Sequence, residues 1–383
     1  MALREIGSSL PLRLIGLLVL GHMAFAAGRF TLTLQAVALD ASPAAIGLVM
    51  GLLMVVPMFL AVQTGRWSDR IGHTRPAMAG LCMAAVGALL AAWWPSIPVL
   101  CVASVLVGSG YMLAHVSVNN AIGQQAPPEG LTRAFSVLAM GFSLSGVAGP
   151  LFSGVAIDQL GHSAAFLGAA ACSLGALYIL ASSKPEPAPL RPATHEASHS
   201  VGDLLRHRPL RSVFVVSGLL SMGWDLFAFL VPLHGARSGL SATAIGMVMG
   251  AFGVGTFVVR IFLPHLAAGL GQWRTLRWAM FITAAGYLFF PMATSLPVML
   301  LAAFALGLAL GCGQPMAMGL LHVTAPAGRA GEAVGVRSTI TSASQTLLPL
   351  VFGALGSAVG VGVVFWLGAA LLAGGGAYAG RHR

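Results

Sequence analysis

Long apolar runs recur along this chain at intervals of roughly thirty residues, separated by short stretches carrying Gly, Pro, Arg and Asp. Each run is long enough to cross about 30 Å of hydrocarbon as a helix. Twelve are predicted, at 12–37, 43–63, 76–94, 98–124, 132–156 and 163–181, then at 210–236, 242–266, 275–293, 297–322, 333–356 and 360–379. They are numbered here as spans 1 to 12. Between spans 6 and 7, the segment from Ser182 to Arg211 is rich in Pro, Ser, His and charge and predicts a solvated linker. His195 and His199 stand four apart in it and read as polar linker residues rather than metal ligands.

The pattern is duplicated. At an offset of 199 positions, Ser42-Pro-Ala-Ala-Ile-Gly-Leu-Val-Met-Gly51 returns as Ser241-Ala-Thr-Ala-Ile-Gly-Met-Val-Met-Gly250, identical at seven of ten positions. Gly72 and Arg75 return as Gly271 and Arg274, Gly108 as Gly307, and Gly154 as Gly353, with no gap. Two tandem copies of one apolar unit point to a transporter built from two similar halves. The predicted organisation is a first half at 1–182, a linker at 183–209 and a second half at 210–383.

Composition agrees. The chain is 57% hydrophobic and 8% charged, against about 25% charged in a soluble domain. Abundant Gly and Ala suit helix packing in lipid. The net charge of +10 does not indicate nucleic acid, because the basic residues are spread between apolar runs. They report orientation instead. Arg66, Arg70, Arg75, Arg133, Lys184, Arg274, Arg277 and Arg329 fall in or beside alternate loops, with more in the tails and linker. The opposite loops carry Asp40, Asp158 and a single arginine, Arg237. Both termini and the linker are expected on the cytoplasmic side of a bacterial inner (plasma) membrane. Arg4, Arg13 and Ala24-Phe-Ala26 imitate a cleavable signal peptide, but Met23 and Phe30 match Met222 and Phe229 in the second copy, so the segment is expected to be retained. Cys82, Cys101, Cys172 and Cys312 all lie inside apolar runs without CxxC spacing, and read as small packed hydrophobes with no metal or redox role.

The loop after span 2 reads Gly65-Arg-Trp-Ser-Asp69-Arg70-Ile-Gly72-His73-Thr-Arg75. It resembles the signature between helices 2 and 3 of the major facilitator superfamily, departing from it only at His73, where Arg or Lys is usual. The second copy of the loop is degraded, with Pro264, Ala268 and Gly269 at the places of Gly65, Asp69 and Arg70. Span 5 carries Ser145-Gly-Val-Ala-Gly149-Pro150-Leu-Phe-Ser153-Gly154, similar to the Gly-Pro motif of the superfamily's proton-driven drug exporters, with serine at two usual glycine positions. Gly149, Pro150 and Gly154 there permit close packing and a bend.

The resemblance covers essentially the whole chain. It implies an all-α integral membrane fold with twelve transmembrane helices in two pseudo-symmetric six-helix bundles. In the family Gly65, Asp69, Arg70, Gly72 and Arg75 would form a gate. The acid would face the N-terminus of a helix from the other half while the arginines brace it. Helices 3, 6, 9 and 12 are the family's outer supports, and spans 3, 6, 9 and 12 hold almost no strongly polar interior residues. Deep charge falls instead on spans 1, 7, 8 and 11, with polar stripes on 4 and 10.

A charge inside the bilayer costs about 2.5–3.5 kcal/mol even on permissive scales, so these residues are the candidate site. His22 and Arg29 share a face of span 1. Span 4 presents Tyr111, His115 and Asn119 at four-residue steps. Span 7 carries Trp224 and Asp225, and span 10 offers Gln314 at the repeat position of His115. Span 11 aligns Arg337, Thr341 and Gln345, and Arg260 sits in span 8. Arg29, Tyr111, His115, Asn119, Trp224, Gln314, Arg337 and Gln345 are the expected substrate contacts. Asp225 and His22 are the expected proton carriers. Structural readings stand beside these: Arg29 pairing with Asp225, Arg260 and Arg337 snorkelling or bracing the gate, and the histidines as neutral hydrogen-bonding groups.

The expected function is secondary active transport of a small, anionic organic molecule by alternating access. No Walker-type loop, cofactor motif or nucleophile–base pair is present, so neither ATP drive nor an enzyme is indicated. The expected partners are the substrate, protons and lipid, with the protein a monomer. The span 5 motif favours export by proton antiport. Ser104, where the exporter pattern wants arginine, argues against it, and three arginines fit uptake of a carboxylate by proton symport. A non-transporting receptor on the same fold is the alternative of a different class, disfavoured by the intact gate signature.

Overall fold

The computed structural model describes residues 12–125, 131–182, 201–326 and 330–381. Every span is helical, because hydrocarbon offers no partner to a backbone N–H or C=O and a helix pairs them within one segment. Spans 1 to 6 are Leu12–Ala38, Pro43–Ile71, Thr74–Trp93, Ile97–Gln125, Leu131–Leu160 and His162–Ala181. Spans 7, 8 and 9 are Arg208–Arg237, Ala242–Leu270 and Gln272–Phe289, and spans 11 and 12 are Ala330–Val359 and Val361–Ala379. Among the described residues eleven spans, the tenth included, are long and apolar enough to cross a membrane by length and composition. The ninth, which opens with Arg274 and Arg277, is the twelfth helix of the set.

Besides span 2, which runs on to Ile71, three regions differ from the sequence reading. Span 10 is broken into Leu296–Gly311 and Gly313–Thr324. Pro315 has no N–H to give the carbonyl of Gly311, so the ladder fails there. Span 9 closes in a 3-10 turn at Phe290–Met292 that contains Pro291. The predicted linker holds a short helix, Val201–Arg206, and span 7 starts at Arg208. His195 and His199 lie outside the described residues.

The duplication extends to the backbone. Among the described residues, positive φ angles occur at Asp40, Gly72, Gly161, Gly239, Gly271 and Gly360. At the 199-residue offset these six form three pairs: 40 with 239, 72 with 271, and 161 with 360. Glycine reaches this region without strain, and Asp tolerates it better than most residues. Each pair marks the same interhelical turn in the two copies.

The chain divides into two compact units. The first holds spans 1 and 3 to 6, span 2 from Leu52 onward, and Ser241–Gly246 at the start of span 8. The second holds Ser42–Gly51 at the start of span 2, spans 7 and 9 to 12, and span 8 from Met247. In the first unit Leu14, Leu17, Leu18, Leu81, Val118, Ile122 and Leu138 form one apolar cluster. In the second, Phe290 stacks on Phe365 at 5.4 Å, and His234 Nε2 meets the Ala293 carbonyl at 2.9 Å. Repeat-related glycines let backbones touch in both. A side chain at Gly108 would collide with the Leu53 carbonyl, and one at Gly307 with the Phe252 carbonyl. Positions 53 and 252 are themselves repeat mates.

Candidate functional site

In the first unit, spans 1, 4 and 5 bring imidazoles and aromatic rings together. His22 on span 1 places Nδ1 2.6 Å from Ser145 Oγ on span 5. Its ring lies 4.7 Å from that of Phe142 and 5.8 Å from that of Tyr111. Tyr111 stacks on Phe25 at 4.3 Å, and its hydroxyl stands 3.0 Å from His115 Nδ1. His115 in turn lies 5.5 Å from Phe142. Tyr111 and His115 of the span 4 stripe thus meet, while Asn119 donates its amide to the His115 carbonyl of its own helix, at 2.9 Å. Arg29, two turns along from His22, is half-buried. Its carbonyl accepts the Thr33 hydroxyl at 3.1 Å.

In the second unit, spans 7 and 11 meet through a polar ladder. Arg337 Nε donates to Ser217 Oγ at 2.7 Å. Ser221 and Thr341 hydroxyls stand 3.5 Å apart. Ser344 Oγ donates to Asp225 Oδ2 at 3.1 Å. Ser217, Ser221 and Asp225 are four residues apart in sequence, so they share one helical face. Asp225 is 1% exposed. Near it, Tyr287 of span 9 donates its hydroxyl to the Gly223 carbonyl. Trp224 packs edge-on against Phe252 at 4.8 Å, and Phe252 stacks on Phe227.

The remaining sequence candidates fall as follows. Gln314 is exposed at the restart of span 10, while Gln345 and Arg260 are half-buried. Gly65, Asp69 and Arg70 lie in the last turns of span 2, and the helix ends at Ile71. Gly72 then takes φ 80°, which gives its place in the signature a steric reason. Arg70 and Arg75 are exposed; the surroundings of Gly65 and the Asp69 side chain lie outside what is described. On span 5 a side chain at Gly154 would meet the Ala242 carbonyl, and one at Gly149 would stand 3.0 Å from Ala26 and Ala27. The four cysteines are free, and Cys82 is exposed rather than packed. No group of three or more metal-ligating side chains occurs among the described residues.

Sequence reasoning missed Phe25, Phe142, Ser145, Ser217, Ser221, Ser344 and Tyr287. Phe and Ser carry no signal in apolar helices, where both are common. Ser145 alone was marked, as a serine at a glycine position of the span 5 motif. Tyr287 adds one buried hydroxyl to span 9, which otherwise holds almost no strongly polar interior residues.

Solved transporter structures share the fold, and three of them illustrate it. The nucleoside transporter NupG superposes with a TM-score of 0.78 at 14% identity, over 97% of this chain and 100% of that one. A bacterial homolog of the human lysosomal transporter Spinster, in an inward-facing and unoccupied conformation, gives 0.74 at 14% identity, over 97% and 94%. A peptide transporter POT in complex with sulfate gives 0.78 at 14% identity, over 99% and 97%. In sequence, the chain is 23% identical to the uncharacterized MFS-type transporter YuxJ of Bacillus subtilis (strain 168), over 85% of this chain and 84% of the relative. It is 26% identical to the class E tetracycline resistance protein of Escherichia coli, over 82% and 78%. The family model of the Major Facilitator Superfamily matches residues 14–294 and 213–381. Twelve helices, a duplicated backbone and that match across both copies place this chain in the Major Facilitator Superfamily of transporters.

Proposed function

We propose that this transporter moves a small, anionic organic molecule by proton-coupled alternating access, with Asp225 and His22 as the groups that take up and release protons. The observation that carries the reading is that each unit holds one of them at a helix–helix contact: His22 against Ser145 and Asp225 against Ser344. Ionisable groups kept inside membrane spans mark substrate or proton pathways. Arg29 is the proposed anchor for the substrate's negative charge, since a guanidinium grips a carboxylate through two parallel hydrogen bonds. Tyr111, His115, Trp224 and Gln345 are the proposed further substrate contacts, to which Phe25 and Phe142 are added by their ring contacts. Arg337, Asn119 and Gln314 are weaker contacts: the first two already serve protein partners and the third is exposed.

Export by antiport is the preferred direction, supported by the span 5 motif and by the similarity to tetracycline resistance proteins. Symport uptake of a carboxylate stands behind it on the arginines. The loop signature around Asp69 would close the cytoplasmic side. Both termini would be cytoplasmic in a bacterial inner membrane, and the protein would act as a monomer.

The test is a thermal-shift screen of purified protein against metabolite and drug panels. Flux of each hit into reconstituted vesicles is then measured with and without a proton gradient. Asp225→Asn should abolish gradient-driven accumulation while sparing part of the substrate exchange, which needs no net proton movement. Accumulation that survives the substitution removes Asp225 from coupling.

A further inference from the structure

Ser145 and Ser344 are repeat mates at the 199-residue offset. Each stands on the fifth helix of its half and reaches the first helix of that half. Ser145 meets His22 at 2.6 Å, and Ser344 meets Asp225 at 3.1 Å. The partners are not mates of each other: His22 aligns with Ser221, one turn before Asp225. The duplicated frame thus fixes the serine, and each half has placed a different titratable group within its reach.

The two hydroxyls play opposite parts. Ser145 Oγ donates to the Phe142 carbonyl at 3.1 Å. A hydroxyl has one proton, so with that proton committed its oxygen accepts from His22. The imidazole proton then sits on Nδ1, and Nε2 keeps the free lone pair at which a further proton is gained and lost. Ser344 instead donates its proton to Asp225 Oδ2, so it fixes a carboxylate oxygen as acceptor where Ser145 accepts.

We propose that Ser145 and Ser344 are positioning residues, one per unit, that orient His22 and Asp225 for proton exchange. This rests on the proton-coupled reading above. The titratable and polar neighbours of His22 are Tyr111 and His115 on span 4 and Ser145 on span 5. Those of Asp225 include Tyr287 on span 9 and Ser344 on span 11.

The experiment needs neither substrate nor gradient. Diethyl pyrocarbonate acylates an unprotonated imidazole nitrogen, and dicyclohexylcarbodiimide reacts with a protonated carboxyl. Labelling of His22 and Asp225 is followed across pH in purified protein and read by peptide mass spectrometry. Ser145→Ala and Ser145→Gly, the latter the residue of the exporter pattern, should change the His22 labelling rate near its midpoint by about threefold or more, which is half a pH unit. Ser344→Ala should change carbodiimide labelling of Asp225 by a similar factor. The Thr variants at both positions keep the hydroxyl and should restore the original profiles. His234, held by a backbone carbonyl, is the internal control and should not change.

Profiles that stay superimposable while the melting temperature falls would make both serines mere packing residues and overturn the proposal. So would Thr variants that behave like the Ala variants. The coupling reading fails separately: shifted labelling profiles combined with proton-driven accumulation that survives Asp225→Asn leave the positioning intact and remove the coupling.

Discussion

The carboxylate of Asp158 accepts the backbone N–H of Thr243 at 2.8 Å, and its other oxygen accepts that of Ala242 at 3.0 Å. All three residues belong to the first unit, although span 8, which Ala242 and Thr243 begin, continues into the second. The contact is repeated inside the second unit, where Ser357, the repeat mate of Asp158, accepts the N–H of Ala44, the mate of Thr243, at 2.9 Å. Ser42 and Ser241 complete the two caps by each accepting the N–H three residues on, at 3.2 Å. One copy thus caps with charge what the other caps with a hydroxyl.

The caps differ in what they should be worth. A helix N-terminus leaves four N–H groups without partners, and losing one cap costs about 0.5–2 kcal/mol. Asp158→Ala removes two acceptors and a negative charge that favours the N-terminal dipole, so it should lower the melting temperature more than Ser357→Ala. Asp158→Asn keeps an acceptor without the charge and should fall between them. Thermal unfolding of the three variants in one detergent checks the order. Equal losses at the two positions would show that charge adds nothing to the cap.

Glycines at the two repeat-related crossings should be less forgiving. Gly108 and Gly307 face backbone carbonyls, which cannot move aside as a flexible side chain can. Gly108→Ala and Gly307→Ala should each cost about 1–3 kcal/mol or prevent folding. Gly374→Ala, in open space on span 12, should be neutral or slightly stabilising, because Ala is the better helix former. Yield and monodispersity after detergent extraction give the readout.

Much of this architecture was legible because membrane helices announce themselves. Apolar length located all twelve spans, and the 199-residue register located the turns. Gly154 and Gly307 recur in sequence because backbone approach tolerates nothing larger, and Gly72 because its turn takes a positive φ. The ends were less legible: span 2 runs on to Ile71 through its polar signature, which hydropathy reads as loop. The break at Cys312 follows from Pro315, yet Pro57, Pro150, Pro232 and Pro349 sit inside unbroken helices, so proline alone does not mark it. The site was half legible. Charged and imidazole residues stand out against an apolar background, whereas the serines that hold them do not. Serine can bond its own helix or a neighbour, and only the packing of spans 5 and 11 decides which.

The ladder between spans 7 and 11 should behave as one network. Arg337 Nε is 2.7 Å from Ser217 Oγ, and Arg337 Nη1 also approaches Met318 Sδ at 3.7 Å. Ser217→Ala withdraws the acceptor and should destabilise by about 1–3 kcal/mol, the cost of an unmet hydrogen bond to a charged group. Arg337→Met removes the charge together with the need for a partner. Adding Ser217→Ala to Arg337→Met should then cost little more, with a coupling energy of about 0.5–3 kcal/mol in the double-mutant cycle. Additive losses would mean that the two side chains do not depend on one another.

The proposed negative charge of the substrate can be tested at Arg29. A guanidinium in a membrane span persists only where a carboxylate, a set of carbonyls or a bound anion meets it. Lysine at this position keeps the charge but presents a point donor in place of the planar fork. Arg29→Lys should therefore weaken binding of an anionic ligand by about 1.5–3 kcal/mol, the worth of a charge-assisted hydrogen bond. A neutral ligand found in the same screen should lose much less. Arg29→Ala should widen the gap between the two, since it removes the charge as well as the fork. Isothermal titration with one anionic and one neutral ligand on both variants gives the comparison. Equal losses for the two ligands would identify Arg29 as a structural partner within the protein, and the anion assignment would fall with it.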